Sequence, residues 1–540
     1  MKRLAMLLAL AACSPPSAGP KYEAAGAQTP HRGGTLRFAV RDTIPTLDPT
    51  VAYDEISYFA LRLLWEPLLD YAPGSAVLVG RLAERWEVTE NATTFHFWLR
   101  ADSRFSDGTP VVAADVKFAL ERALRTPDSP FSQWLGDVTG ASEVIANKAP
   151  HCAGISTPNE RELVIHLEHP NAGFLYTLAA PFTAPQRESH VAAVGADVRR
   201  TPLGNGPYML DRWSEGERFV VTRNPVYSGA QPAYPDEIEM LEGVARDTQF
   251  MMLEQGELDT AYRLAAPDLM WVKAQPRWRS YVKTSTMMNT QGFRFDVTQK
   301  PFDDVRVRRA FNYALDRAHV AKLLVGAALP AHGMLPPGVL GRDETLQPYP
   351  HDIAKARALL GEAGYGTGLE VELVTIADED ATKLAESFQA DLAEVGVTMH
   401  ISVVAFSVYL TALGKRGGPA LAYAGWLGDS PDPTSFLDAK FASAAISDDA
   451  SPNDSFYANP KLDGLLDAAR TDGDSNNRIR LYNEAERVLA DDPPWVWAYH
   501  EATNEVSQPY VKGMAPSPVW IRDFSTVWLD LDEHGERVER

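Results

Sequence analysis

The spacing of apolar residues switches repeatedly along this chain between a period of two and a period near 3.6. That alternation restricts the fold more than any single motif does. Phe95, Phe97 and Leu99 alternate with Thr94, His96 and Trp98, the pattern of a half-buried strand. Val116, Ala119, Leu120, Ala123 and Leu124 follow at helical spacing. Leu163, Ile165 and Leu167 form a second alternating strand, with Val164, His166 and Glu168 on its other face, and Phe219-Val220-Val221 a third, ended by Asn224-Pro225. In the second half, Val307, Ala310, Phe311, Ala314 and Leu315 make one helical stripe, continued by Leu323 and Leu324. Ala356, Leu359, Leu360 and Ala363 make another, stopped by Gly364. Residues 370–376 and 397–404 read as strands around a helix carrying Leu384, Phe388, Leu392 and Val395 and ended by Gly396. Asn459-Pro460 opens a helix, and Tyr482, Ala485 and Val488 place a last long one before Trp495. Strand–helix–strand units of this length predict an α/β fold with parallel sheets.

The chain has 540 residues, enough for roughly three to four units of about 150 residues each. Hydrophobic residues are 45% and charged residues 23%, so disorder is not the expectation. A net charge of −21 with no long basic run argues against nucleic-acid binding. Two cysteines exclude a disulfide scaffold and a cysteine-rich metal cluster.

No apolar run reaches the roughly 20 residues of a membrane-spanning helix. Lys2 and Arg3, the apolar run Leu4 to Leu10, and Ala11-Ala12-Cys13 have the form of a secretory signal. Leu10-Ala11-Ala12-Cys13 resembles the bacterial lipobox, so residues 1–12 are expected to be removed as a lipoprotein signal peptide and Cys13 to carry lipid. Residues 13–30, rich in Ser, Pro, Gly and Ala, read as a flexible tether. The expected location is the cell envelope, periplasmic or cell-surface, held at a membrane by that lipid. Cys152 is then left alone, as a small thiol rather than a nucleophile.

Enzyme signatures are missing from the sequence. There is no G-x-S-x-G elbow, no G-x-x-x-x-G-K-[ST] loop and no H-E-x-x-H pair. His166 and His169 would face opposite sides of a strand, which does not suit a shared metal. Asp378-Glu379-Asp380 lacks the spacing of a calcium loop and reads as an acidic helix start. No cofactor, metal or catalytic residue is expected. The physical reading is a secreted, tethered, acidic, multi-domain α/β protein without visible catalysis, a class whose large two-lobed members often bind a small ligand in their cleft.

Six blocks occur in a telling order. They are Gly33-Gly34-Thr35-Leu36-Arg37 with Leu47-Asp48-Pro49 and Trp65-Glu66-Pro67-Leu68; Leu82-Ala83-Glu84-Arg85-Trp86 through Phe105-Ser106-Asp107-Gly108-Thr109-Pro110; Gly206-Pro207-Tyr208; Arg223-Asn224-Pro225-Val226-Tyr227; Pro301-Phe302-Asp303-Asp304-Val305-Arg306 to Ala314-Leu315-Asp316-Arg317; and Gly425-Trp426-Leu427-Gly428-Asp429 with Asp432-Pro433. Together they resemble the family 5 extracellular solute-binding proteins, the peptide, dipeptide and nickel receptors of bacterial ABC importers. The resemblance implies a two-lobed periplasmic-binding-protein fold of type II with an extra domain and the ligand enclosed between lobes. Lobe I would comprise residues 31–70, 197–290 and 503–535, the extra domain 71–196, and lobe II 291–502.

The same resemblance implies a peptide receptor, monomeric, serving an ABC permease and its ATPase subunits, and not an enzyme. Asp429 would pair with the peptide's α-ammonium, and the backbone of Gly425, Trp426 and Leu427 would take the peptide as an added strand. Tyr53, Glu55, Phe131 and Phe406 stand where relatives line the ligand. Tyr423 stands where peptide-binding relatives can carry a base, and the nearest bases upstream are Lys415 and Arg416. Nickel chelates, haem and oligosaccharides are the family's other ligands, and Trp426, Trp495 and Trp497 would suit sugar stacking. A surface lipoprotein without a transporter, or a secreted hydrolase, are the competing classes.

Overall fold

The computed structural model describes residues 29–127, 129–519, 522–532 and 534–538. Cys13, the signal peptide and all of the tether but its last two residues lie outside the described residues.

Among the described residues, twelve strands share one sheet. One half is built on Thr35–Ala39, which runs parallel to Glu237–Leu241 and continues outward through Arg218–Arg223 and Tyr208–Ser214. The other half is built on Leu369–Ile376, parallel to both Val397–Val404 and Leu421–Leu427. The sheet is mixed rather than parallel: most pairings are antiparallel. The hairpin Tyr208–Ser214/Arg218–Arg223, closed by three residues, is one reason, because periodicity identifies a strand but not its direction.

A single strand joins the halves. Trp495–Ser507 pairs with Asn289–Phe295 and Ala328–Pro330 up to Glu501, then with Val282–Thr286 and Thr260–Tyr262 from Ala502 on. Only Met287 and Met288 separate Val282–Thr286 from Asn289–Phe295, so the chain also crosses there. Gly292 lets the strands meet. A Cβ at that position would stand 2.1 Å from the Val496 carbonyl oxygen.

A separate antiparallel sheet of four strands, Ala83–Thr89, Thr94–Leu99, Glu162–His166 and Ile155–Asn159, lies early in the chain. Helix Ala113–Arg125 buries Val116, Leu120 and Leu124 against Phe95, Phe97 and Leu99 of that sheet. Three large apolar cores result. One is centred on this sheet, one on Phe38, Phe59 and Phe524, and one on Phe293, Phe311, Phe388 and Trp495. The two-lobed form with an added small domain follows from this division.

Several expected elements need adjustment. The stripe from Val307 to Leu324 is two helices, Val305–Ala314 and Arg317–Leu323. Leu315 turns extended, and the Asp316 carboxylate accepts the His319 amide to restart the helix. Helix Pro460–Thr471 begins at Asn459-Pro460, with the Asn459 side chain capping it. Asp378 likewise caps Glu379–Glu394, with Glu379 and Asp380 in the first turn. Among the described residues no helix is long and apolar enough to cross a membrane.

Candidate functional site

A cavity of about 420 Å³ opens where the two halves and the small domain meet. Tyr53, Glu55, Tyr58 and Arg62 reach it from helix Glu55–Leu64 and the turn before it. The small domain adds Tyr71, Trp134, Asp137 and Tyr176. The second lobe adds Leu427, Gly428, Asp429, Thr434 and Ser435. The crossing segments supply Met287, Met288 and Thr503. Rings and methionines share the wall with serine and threonine hydroxyls and with charged groups, a mixed lining that suits a small polar ligand.

Asp429 stands at the centre. Its Oδ1 accepts the Tyr53 hydroxyl at 3.0 Å across the cleft, and it has no ion-pair partner among the described residues. Burial pushes the Tyr53 hydroxyl up to about 12, and the Asp429 charge adds to this. Tyr58 is raised further, by burial first and then by Tyr53, Asp429 and Asp54. Both phenols therefore remain protonated donors at neutral pH. The two lining guanidinium groups are already neutralised. Arg62 lies 3.2 Å from Asp70 and 3.8 Å from Asp523, while Arg522 lies 2.7 Å from Glu505.

The loop carrying Asp429 is fastened at both ends. The Gly428 amide donates to the Met288 carbonyl at 2.9 Å, and the Trp426 indole N–H donates to the Ser435 carbonyl at 2.6 Å. Beneath it, Asp432 is fully buried and pairs with Arg478 at 2.6 Å. The small domain touches the same loop: a Cβ on Gly173 would lie 3.0 Å from Asp432 Oδ1, and the Ala172 amide donates to the Arg470 carbonyl at 2.9 Å.

Of the residues expected at the ligand, Tyr53, Glu55, Leu427 and Asp429 line the cavity. Five do not. Phe131 is fully buried, stacked 4.2 Å from Phe182 behind Tyr53, and Trp134 three residues later takes the wall position. Phe406 is 59% exposed on helix Phe406–Leu413, which turns Tyr409 and Leu413 inward. Tyr423 is buried and donates to Gln291 Oε1 at 2.9 Å. The Trp426 ring packs against the core under the Lys440 ammonium. Gly425 faces the Gln291 side chain rather than the cavity. Trp495 and Trp497, suited in sequence to sugar stacking, are fully buried in the second lobe. Lys415 and Arg416 lie away from the cavity, Arg416 pairing with Asp448.

The Gly425 segment lies where one edge of its strand is unpaired. Strand Leu421–Leu427 pairs along its whole length with Asn289–Phe295, but its other edge meets Leu369–Ile376 only at Leu421 and Ala422. From Ala424 onward that edge has no strand partner among the described residues, which leaves it free to take a strand from outside.

Tyr58, Tyr71, Trp134, Asp137 and Tyr176 went unnoticed in the sequence. Trp134 carried a usable signal, since it lies one turn beyond Phe131. The others line the cavity only because three segments distant in sequence converge. Among the described residues no group of three or more His, Cys, Asp or Glu side chains could hold a metal. The Cys152 thiol is buried, is pushed up chiefly by burial, and donates to the Thr139 carbonyl at 3.3 Å.

The chain is similar to known proteins along most of its length. The family model of the bacterial extracellular solute-binding proteins, family 5 middle region, matches residues 77–448. The chain is 27% identical over 488 residues to di/tripeptide-binding protein 2 of Pseudomonas aeruginosa, covering 86% of this chain and 89% of that protein. It is 29% identical over 464 residues to the glutathione-binding protein GsiB of Salmonella typhimurium, covering 85% and 87%. The solved structure of the periplasmic murein tripeptide binding protein MppA in its unliganded open form superposes with a TM-score of 0.85. The identity there is 24%, with 93% of this chain and 98% of that one covered.

Proposed function

Since this chain belongs to the family 5 bacterial extracellular solute-binding proteins, and is a periplasmic binding protein rather than an enzyme, we propose that it captures peptides in its interlobe cleft and hands them to an ABC permease. The observation that carries the peptide reading is Asp429. A carboxylate without a cation partner stands in a ring-lined cavity, beside a strand edge open from Ala424 to Leu427. A peptide's α-ammonium meets the carboxylate, and its backbone adds to the open edge. The ammonium needs such a partner once the lobes enclose it, because an unpaired charge in a closed cleft is costly.

The test is calorimetry with peptides released by denaturing the purified protein and identified by mass spectrometry. Asp429 is exposed to the cleft before closure, so the lower end of the scale applies. Asp429→Ala is expected to cost about 2 kcal/mol, roughly 30-fold in affinity. N-acetylated peptide should bind wild type poorly, and Asp429→Ala should distinguish little between the free and acetylated forms. Equal wild-type affinities of the variant for both would remove the ammonium role and favour a non-peptide ligand.

Three further proposals complete the reading. The division of the cores supports residues 31–70, 197–290 and 503–535 as lobe I, 71–196 as the extra domain and 291–502 as lobe II, with crossings at Met287–Met288 and Glu501–Ala502. The protein works as a monomer. Cys13, within Leu10-Ala11-Ala12-Cys13, carries the lipid that holds it at the membrane. Cys13→Ala should move the protein to the soluble fraction with its thermal unfolding unchanged, and continued sedimentation with membranes would refute the anchor.

A further inference from the structure

We propose that the first residue of the captured peptide carries a basic side chain and that Asp137 of the small domain is its counter-ion. This rests on the peptide reading above and goes beyond it by naming the ligand class.

The charges on the cavity wall lead to this conclusion. Four carboxylates line it: Asp54, Glu55, Asp137 and Asp429. Glu55 is paired with Arg263 at 3.3 Å. Asp54 caps helix Glu55–Leu64, accepting the Ser57 amide at 2.8 Å. Asp429 takes only the Tyr53 hydroxyl. Among the described residues the ring nearest Asp137 in ion-pair range is the His169 imidazole at 3.7 Å, and the two side chains are 50% and 75% exposed to water, respectively. Both lining guanidinium groups are held by carboxylates of the protein. The cavity therefore presents two carboxylates without a strong fixed partner, and the α-ammonium satisfies one.

The second lies along the same wall. Tyr53, which holds Asp429, has its ring 5.9 Å from Trp134, and Trp134 precedes Asp137 by three residues. The Glu168 amide fixes that segment by donating to the Asp137 carbonyl at 2.8 Å. A side chain leaving the ammonium site in this direction passes over the Tyr53 and Trp134 rings. Lysine and arginine suit such a path, with an apolar stem against the rings and a charged tip that attracts both the indole face and a carboxylate. An uncharged stem of equal length gains the ring contact but brings no charge to the half-exposed Asp137 carboxylate.

The experiment is calorimetry on the full protein with Lys-Ala-Ala and with norleucine-Ala-Ala, which keeps most of the stem and removes the charge. Wild type should prefer the lysine peptide by roughly five- to tenfold, between the values of exposed and enclosed ion pairs. Asp137→Asn should bring that ratio close to one, while Asp429→Ala weakens both peptides together. Equal binding of the two peptides by wild type, or a preference that survives Asp137→Asn, overturns the assignment and leaves the peptide reading standing. Failure of both peptides to bind, together with no effect of Asp429→Ala on any copurified ligand, overturns both.

Discussion

Glu486, on helix Ser475–Asp491, is a buried acid with few partners. One oxygen accepts the Asp343 amide at 2.8 Å. Burial pushes its carboxyl up to about 7, against the opposing pull of the Asp343 amide and the Arg342 guanidinium. The folded state thus keeps a proton that the unfolded chain releases near its ordinary value. The resulting stability is complete below about pH 4.5 and is lost as pH rises through about 7, about 3 kcal/mol over that window. Buried His500, pushed down to about 3, and His332, pushed down to about 4, act in the opposite sense, since the unfolded chain takes up their protons below about 6.5. Glu486→Gln leaves both histidines in place. Between pH 5 and pH 8 the urea midpoint of the variant should therefore gain on that of wild type, since only wild type loses the Glu486 contribution as pH rises. Identical pH dependences would show that Glu486 does not hold its proton in the fold.

At the scale of elements, the segment from Leu421 to Ser435 runs from a paired strand through an unpaired edge into a loop. Its stiffness comes from below, where helix Ser475–Asp491 presents Arg478 to Asp432. Both side chains are buried and lie 2.6 Å apart. Removing one member of such a pair strands the other charge, so Arg478→Ala should destabilise the protein by about 3–5 kcal/mol in urea unfolding. A loss under 1 kcal/mol would mean that water reaches Asp432. The boundaries of this region were readable in part. The strand 397–404 and the helix opening at Asn459-Pro460 follow from alternation and a cap. Strand Trp495–Ser507 did not, because it is buried on both faces and carries no alternation to read.

For the whole molecule, the fact that matters most is the small number of crossings. Two lobes with separate cores are linked through Met287–Met288 and through the partner switch at Glu501–Ala502. A few backbone angles at those points can swing one lobe over the cavity, the hinge closure expected of a receptor. Solution scattering should show a smaller radius of gyration when a binding peptide is added at saturation. Superimposable curves with and without it would argue against closure.

The sequence by itself determined many of the elements, the α/β class and the family, because periodicity, caps and ordered blocks are local and survive in one dimension. It also pointed to Asp429, through the resemblance of the block Gly425-Trp426-Leu427-Gly428-Asp429 to the family's pattern. What only the tertiary structure decided is which side chains share the cavity. Tyr53 meets Asp429 from 376 positions away, and Trp134 takes the wall position because Phe131 is buried while Trp134, three residues on, reaches the cavity. A strand fixes which of its faces is apolar. Which neighbour covers that face, and whether an edge such as Ala424 to Leu427 stays open, depends on how distant segments pack.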